Sequence, residues 1–416
     1  MMTRRHLLTA AGLGATVALV GCDNTKSNSP GTPAGVPDVL LVDVSGGLTA
    51  VRGAAVATAS AGAVTSLDGT RLFAAEDAGG DTILRTVDTR TGQVVGEYKL
   101  RGRWAPRAAP VGGQRVALTA PPAAGASPFL PAGRKRTEIL IATPGKEVAR
   151  LDLAGNLVPD TFDTSGNGLY VLDWLPPTAP HHYRVRWVDL IGGAVIPLNT
   201  IAKTPVPQGA EEEMSGEGRL AVYSPRQGML FTLYTHQPDH QHTRDLIADR
   251  RSNVHAFVHS LNLTQRWAYC VDLPAPFGEG DGSTHTIAED QTGRSLYVYD
   301  GASGSLAVVD TENLALGSPQ PPQVVTVPRA AGTAYAAAAT QRVFLGGDAA
   351  VHVVRPDGSV IATWKVADKV RGLGVSADGS RLYVGQSDRV LMLDATSGRQ
   401  TGWVAVPGLV ALRRAL

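Results

Sequence analysis

Short apolar runs separated by glycine-containing turns recur along the chain after residue 38. The runs are rich in Val, Leu and Tyr, and some, such as 296–299, are apolar without interruption. Asp-Gly and Thr-Gly pairs between the runs supply the positive φ angles that tight hairpin turns need. The pattern predicts β-strands joined by hairpins, and the continuous apolar runs indicate strands that are covered on both faces. No segment beyond the N-terminal apolar run shows a sustained helical period with caps.

The strands and turns repeat as one larger unit. Its clearest copy reads SADGSRLYV at 376–384 and continues as RVLMLD at 389–394, and related copies occupy 66–92 and 291–310. A period of about 40–50 residues is typical of a solenoid or a propeller. The strand related to Arg-Leu-Tyr-Val occurs eight times, at 39–42, 71–74, 115–119, 168–172, 219–223, 295–299, 342–346 and 381–385.

This count favours an all-β β-propeller with eight four-stranded blades. Seven blades stay open, because the fifth unit is irregular and carries a long insertion at 236–253. The first unit begins at its second strand, and the chain ends with a lone apolar segment at 408–414. We expect this C-terminal strand to complete the N-terminal blade and close the ring, which would protect the sheet edges.

The phrase Ser-x-Asp-Gly-x-x-Leu-Tyr-Val, followed by Val-Asp-x-x-x-Gly, resembles the YVTN-type propeller repeat. The wider group includes quinoprotein-dehydrogenase-like and lactonase-like propellers. The resemblance covers residues 38–414 as architecture. It implies a fold and leaves the activity to be argued from a site.

The first residues have the features of an export signal. Arg4 and Arg5 precede an apolar run at 7–20, and Gly21 and Cys22 follow it. A basic start, an apolar run and a small-residue cleavage site are typical of a signal peptide, and this run is too short to span a bilayer. The ending resembles a bacterial lipobox, which implies lipidation of Cys22. The start resembles a twin-arginine signal, although a leucine replaces the usual aromatic residue.

Residues 22–37 are polar, with Ser, Gly and Pro and no aromatic side chain, and we expect a disordered tether there. The predicted organisation is therefore a signal peptide at 1–21, a lipid-anchored tether at 22–37 and a single propeller domain at 38–416. Two acyl chains on Cys22 would anchor the protein stably, on the outer face of the cytoplasmic membrane.

The balance of charges and the number of cysteines argue against nucleic-acid binding and against a disulfide framework. Lys plus Arg total 38 and Asp plus Glu total 37, so no basic excess points to nucleic acid. The chain has two cysteines, and with Cys22 acylated, Cys270 has no disulfide partner. Cys270 lies in an apolar stretch, where we expect a buried, inert thiol.

The densest group of potential metal ligands is the tract HQPDHQH at 236–242, with His236, His240 and His242. Imidazole suits zinc, copper, nickel or iron, and short His-rich tracts bind metal. The alternative interpretation is a solvated loop, which also applies to the pair His181 and His182.

The densest acidic group is Glu211, Glu212 and Glu213. These side chains are candidates to face the central channel and hold a cation or another ligand through oxygen atoms, and the alternative is a solvated acidic loop. The sequence contains no Gly-x-Ser-x-Gly, P-loop, His-Glu-x-x-His or Cys-x-x-Cys-His motif, so it nominates no catalytic residue and requires no cofactor.

The quinoprotein resemblance implies Asp-x-x-Thr-Gly turns that lead to a docking tryptophan, and a vicinal cysteine pair. Here the turn at 394–398 leads to Trp403 one residue late, and the cysteine pair is absent. We therefore interpret the Asp-Gly turns as structural.

Three functions follow as hypotheses. The first is a membrane-tethered binding or scaffold module at the cell envelope, whose long loops at 121–136, 175–182 and 236–253 contact an envelope protein or a small-molecule ligand. The second is an exported enzyme, a lactonase-like hydrolase or quinoprotein-like oxidoreductase, with its site in the channel. The third is a metal-handling envelope protein. The first is favoured, so the protein is expected not to be an enzyme.

Overall fold

The computed structural model describes residues 35–122, 130–215 and 220–416. The predicted signal peptide and Cys22 lie outside these residues. The described part is almost entirely β, as expected, with two five-residue helices that the sequence did not predict, α1 (Thr243–Ile247) and α2 (Thr311–Ala315). Two 3-10 turns occupy Val111–Gly113 and Gly282–Thr284. No helix in the described ranges has the length and apolar character required to cross a membrane.

The described strands form eight antiparallel blades in a ring, so the fold is an eight-bladed β-propeller. Blade 1 contains β1 (Val36–Val44), β2 (Gly47–Gly53) and β3 (Ala55–Val56). Blade 2 contains β4 (Val64–Thr65), β5 (Arg71–Asp77), β6 (Thr82–Asp88) and β7 (Val94–Leu100). Blade 3 contains β8 (Ala105–Ala108), β9 (Val116–Thr119), β10 (Arg136–Thr143) and β11 (Lys146–Ala154). Blade 4 contains β12 (Asn156–Phe162), β13 (Gly168–Leu175), β14 (His182–Asp189), β15 (Val195–Pro197) and the short β16 (Met214–Ser215).

The second half of the ring has the same plan. Blade 5 contains β17 (Leu220–Ser224), β18 (Met229–Tyr234), β19 (Ala256–Asn262) and β20 (Ala268–Leu273). Blade 6 contains β21 (His285–Glu289), β22 (Ser295–Asp300), β23 (Ser305–Asp310) and β24 (Gln323–Thr326). Blade 7 contains β25 (Tyr335–Ala339), β26 (Arg342–Gly346), β27 (Ala350–Val354) and β28 (Val360–Lys365). Blade 8 contains β29 (Leu373–Val375), β30 (Arg381–Gly385), β31 (Arg389–Asp394) and β32 (Gln400–Ala405), and the last strand is β33 (Leu409–Ala415).

The two ends of the ring meet in blade 1. β33 pairs antiparallel with β1, with Val42 opposite Leu412, and supplies the innermost strand that the first unit lacks. The predicted closure is therefore confirmed. A side-chain contact supports the seam, since the Tyr383 hydroxyl donates to Asp38 Oδ2 at 2.6 Å. β1 begins at Val36, two residues before the predicted start of the propeller domain at residue 38.

The fifth unit, whose irregular sequence left seven blades open, forms a complete four-stranded blade. The segment at 219–223, taken as an Arg-Leu-Tyr-Val strand, corresponds to β17, which is the innermost strand of blade 5. The strand equivalent to the other seven is β18. The favoured number of eight blades is confirmed. In the fifth unit, however, the predicted strand is the first strand of its blade, whereas the equivalent of the other seven is the second. The insertion at 236–253 connects β18 to β19 inside this blade and carries α1.

Apolar faces of neighbouring blades form the core. In one cluster, Phe231 and Trp267 of blade 5 pack with Leu296 and Val298 of blade 6. Complete burial of each such side chain is worth about 1.5–3 kcal/mol relative to exposure. This cover on both faces is the reason that the strands do not alternate between apolar and polar positions.

Candidate metal centre

Three consecutive glutamates, Glu211, Glu212 and Glu213, lie in the segment that leads into β16. β16 pairs with the start of β14, while β15 pairs with its end, so both occupy the outer position of blade 4. Successive side chains of an extended chain point to opposite sides. Glu211 accordingly accepts from Arg186 Nε at 2.9 Å, and Glu213 contacts His182 Nε2 at 3.1 Å, both on β14. Glu212 points the other way, toward blade 5.

Two imidazoles of the 236–253 insertion meet Glu212. His242 Nδ1 lies 3.4 Å and His240 Nε2 lies 3.6 Å from Glu212 Oε2, and these two nitrogens are 3.1 Å apart. His240 stacks on Phe257 with ring centroids 4.2 Å apart. Both histidine side chains are only 1% exposed, so a solvated loop is the wrong description of this part of the tract.

The fourth group comes from β20, the outer strand of blade 5. Cys270 is buried, as expected, and its Sγ lies 3.4 Å from Glu212 Oε2. His259 faces Cys270 across the β19–β20 pair, with its Nε2 3.7 Å from Glu212 Oε1. The thiol therefore faces a carboxylate and imidazoles rather than an apolar core alone.

One potential ligand atom from each of Glu212, His240, His242 and Cys270 lies within 4.8 Å of the other three. Zinc bonds of about 2.0–2.3 Å to N, O and S in a tetrahedral arrangement place neighbouring ligand atoms about 3.3–3.6 Å apart. Four of the separations, 3.1–3.6 Å, lie close to those tetrahedral edges, and no two ligand atoms of the cluster are more than 4.8 Å apart. We call these four residues the inner cluster.

Electrostatics within the inner cluster compensate for burial. Burial alone would raise the pKa of Glu212, but hydrogen bonds from His240 and His242 outweigh it and hold this pKa well below its usual value. Burial also opposes charge on His242, and contacts with Asp272 and Glu212 raise its pKa nonetheless. Burial and the Glu212 charge raise the pKa of the Cys270 thiol well above its usual value. The raised pKa values favour protonated His242 and Cys270, and a bound cation would take the place of these protons.

An outer set of hydrogen bonds and ion-pair contacts surrounds the imidazoles. His240 Nδ1 contacts the Glu213 main-chain oxygen at 3.0 Å, which directs Nε2 toward the centre of the cluster. His242 Nε2 lies 2.8 Å from Asp272 Oδ1. Arg244, at the start of α1, donates to Asp272 Oδ1 at 2.6 Å. A histidine whose second nitrogen is held by a carboxylate or carbonyl oxygen is typical of metal ligands.

His236, the third histidine nominated from the tract, does not join the inner cluster. Its Nε2 contacts the Gly280 main-chain oxygen at 2.6 Å, and its ring packs edge-on against His285. The sequence did not link Cys270 and Asp272 to the histidines. One signal was present, because residues two apart on a strand share a face, so Cys270 and Asp272 had to lie on one side of β20.

A separate cavity of about 820 Å³ lies on the ring axis, lined by the inner strands of several blades. Glu211, Glu212 and Glu213 are not among its lining residues; instead of facing the channel as expected, they lie at the outer strand of blade 4. Inside the cavity, burial raises the pKa of Glu289 to about 7. Within the described ranges, Glu289 Oε1 has no hydrogen-bond partner.

Comparison with known proteins supports the fold. The apo structure of AztD from Citrobacter koseri superposes with a TM-score of 0.53 at 13% identity, covering 91% of this chain and 97% of AztD. The dihydro-heme d1 dehydrogenase NirN in complex with DHE superposes with a TM-score of 0.50 at 14% identity, covering 92% of this chain and 76% of NirN. No family model matches the sequence, and no curated protein matches it significantly. At these identities the likeness shows a β-propeller and leaves its function to the site.

Proposed function

We propose that this protein is an envelope-tethered β-propeller whose ligand is a metal ion, Zn²⁺, held by the inner cluster. The observation that carries the proposal is the convergence of Glu212, His240, His242 and Cys270, three segments of chain from two blades, on one buried point. This combines two of the three hypotheses drawn from the sequence, a binding module and a metal-handling protein.

The donor set selects the metal. One thiolate, two imidazoles and one carboxylate suit zinc, which prefers four tetrahedral N, S and O ligands. Catalytic zinc sites keep one position open for water, whereas four protein ligands close the site. The inner cluster therefore favours retention and transfer of the ion over hydrolysis, which weighs against the enzyme hypothesis for this site.

The tether is part of the proposal. Lipidation of Cys22 after twin-arginine export through Arg4 and Arg5 would hold the ring on the outer face of the cytoplasmic membrane. Incorporation of labelled palmitate into the wild-type chain, and its loss in Cys22→Ser, would support the anchor. Labelled Cys22→Ser, or an unlabelled wild type, would contradict it without affecting the metal proposal.

The metal proposal is tested with the full chain, purified from membranes in detergent and stripped with a chelator. We expect one equivalent of Zn²⁺ to bind tightly in competition with a chromophoric chelator. Cys270→Ser and His242→Ala should each weaken binding by at least about a hundredfold, since each removes a direct ligand. His236→Ala is the matched control, because it removes an imidazole of the same loop that lies outside the inner cluster.

Cobalt(II) gives a second measurement, independent of affinity. A cobalt-loaded wild type should show sulfur-to-cobalt charge-transfer absorption and the intense visible bands of a tetrahedral site. Cys270→Ser should lose the charge-transfer band, and His236→Ala should keep it. Wild type that binds zinc no more tightly than Cys270→Ser would overturn the proposed function, and preferential binding of copper(I) would replace zinc as the ligand.

A further inference from the structure

A second pair of histidines lies at the surface beside the inner cluster. His181 Nδ1 and His182 Nδ1 are 2.8 Å apart, and their ring centroids are separated by 4.4 Å. His181 is exposed, and His182 begins β14 and is partly exposed. Two imidazole nitrogens at this spacing share a hydrogen bond, and they would need to move apart to about 3.3 Å to bind one metal ion together.

Glu213 fixes which nitrogen of His182 is available. Its carboxylate lies 3.1 Å from His182 Nε2, a contact that favours the tautomer with the proton on Nε2 and the lone pair of Nδ1 toward His181. This carboxylate–imidazole arrangement is the one that orients metal-binding histidines.

The same glutamate connects the surface pair to the buried site. Its main-chain oxygen contacts Nδ1 of His240, a member of the inner cluster, at 3.0 Å. His182, Glu213 and His240 also line one cavity of about 390 Å³ between blade 4 and the 236–253 insertion. One residue of the surface pair, His182, and one residue of the inner cluster, His240, therefore line the same cavity.

We propose that His181 and His182 form an outer, exchangeable site that captures Zn²⁺ and passes it to the inner cluster. This inference rests on the proposed function, since it assigns an entrance to that site. Two imidazoles leave the remaining positions of the ion to water, so the outer site binds more weakly and exchanges faster than the closed inner cluster. Zn²⁺ would bind the lone pairs of the two Nδ1 atoms, with the proton of each neutral imidazole carried on Nε2, so a proton on Nδ1 of His181 is lost to solvent while its Nε2 takes one up.

The test uses the full chain and zinc supplied by a weak chromophoric chelator, with uptake followed by stopped flow. In the double variant His181→Gln/His182→Gln, we expect the equilibrium affinity of the inner cluster to stay within about twofold of wild type while loading slows at least about tenfold. His352→Gln is the matched control, because it removes a partly exposed imidazole on blade 7. Glu213→Gln keeps both imidazoles but weakens the hold on His182, and should give an intermediate rate.

Stoichiometry separates this inference from the proposed function. Wild type should bind one tight and one weaker equivalent, Cys270→Ser only the weaker, and the double histidine variant only the tight one. Wild type that binds a single tight equivalent and loads as fast as the double variant would overturn the outer site and leave the inner cluster standing. Wild type that binds only the weaker equivalent would overturn the inner cluster instead. Unchanged circular dichroism and thermal midpoints establish that each variant is folded.

Discussion

The imidazole Nε2 of His242 lies 2.8 Å from Oδ1 of Asp272, so a half-exposed carboxylate on β20 orients a buried imidazole of the inner cluster. Asp272 is also held by both oxygens to Arg244, at 2.6 and 2.7 Å. Asp272 therefore contacts both Arg244 of α1 and the imidazole of His242.

This relationship gives the first prediction. Asp272→Asn removes the negative charge behind His242 while keeping the shape of the side chain, and we expect zinc affinity to fall by about 10–100-fold. Competition with a chromophoric chelator measures the change. Asp239→Asn is the control, because Asp239 lies in the same insertion, is exposed, and has a φ of 60° that asparagine tolerates well. Equal affinities for the two variants would show that Asp272 does not position His242.

The pH dependence of zinc binding is the second prediction. In the metal-free protein the Cys270 thiol has a raised pKa and holds its proton near neutrality, and His242 also has a raised pKa. Zinc must displace these protons, so affinity should rise with pH and binding should release about one to two protons near neutral pH. Calorimetry in buffers of different ionisation enthalpy counts them. Cys270→Ser should release about one proton fewer, and a pH-independent affinity would contradict the assignment of the thiol as a ligand.

Glu289 gives the third prediction, on stability. Its folded pKa of about 7 lies above the usual 4.5 because burial disfavours the charged form. The native state therefore retains a proton that the unfolded chain gives up, and stability falls as pH rises from about 4.5 to about 7 and then levels off. Glu289→Gln should remove this loss and raise the free energy of unfolding at about pH 8 by roughly 3 kcal/mol relative to its effect at about pH 4.

Urea unfolding at several pH values measures the effect of Glu289→Gln. Glu279→Gln serves as the control, because Glu279 is exposed. If both variants have the same pH profile of stability as wild type, Glu289 does not carry the raised pKa.

The closing strand gives the fourth prediction. Leu412 is 4% exposed and packs with Val42 in the core of blade 1, while Val410, two residues earlier on β33, is 53% exposed. Leu412→Ala should lower the free energy of unfolding by about 2–5 kcal/mol through lost burial and the cavity left behind. Val410→Ala should change it by less than about 0.5 kcal/mol. Denaturant unfolding of the full chain measures both, and similar values would show that β33 does not seal the ring.

The sequence predicted the architecture because each blade repeats its own local information. Turn glycines and continuous apolar strands recur in every unit, and the incomplete first unit identified β33 as its missing strand. The error in blade 5 arose where the insertion at 236–253 interrupts the repeat, so β17 was taken for β18.

The inner cluster was only partly predictable, because its contacts join distant positions. The tract suggested His240 and His242 from proximity alone, but Glu212 and Cys270 are 58 residues apart and meet only across the boundary between blades 4 and 5. The side chain of Glu212 points away from those of its two neighbours, and the sequence does not show which of the three glutamates faces blade 5. His236 lies in the same histidine-rich tract as His240, but its side chain contacts the Gly280 main-chain oxygen instead of Glu212. The sequence does not distinguish the two.

Ring closure in blade 1 has a geometric consequence for the whole molecule. With eight units around the axis, blade 5 stands diametrically opposite blade 1, where the chain enters the ring at Val36. Under the proposed anchor at Cys22, the tether would be attached to the ring at that entry point, and the boundary between blades 4 and 5 lies on the opposite side of the ring. If both proposals hold, zinc would bind and leave on the side of the ring that lies away from the attachment of the tether.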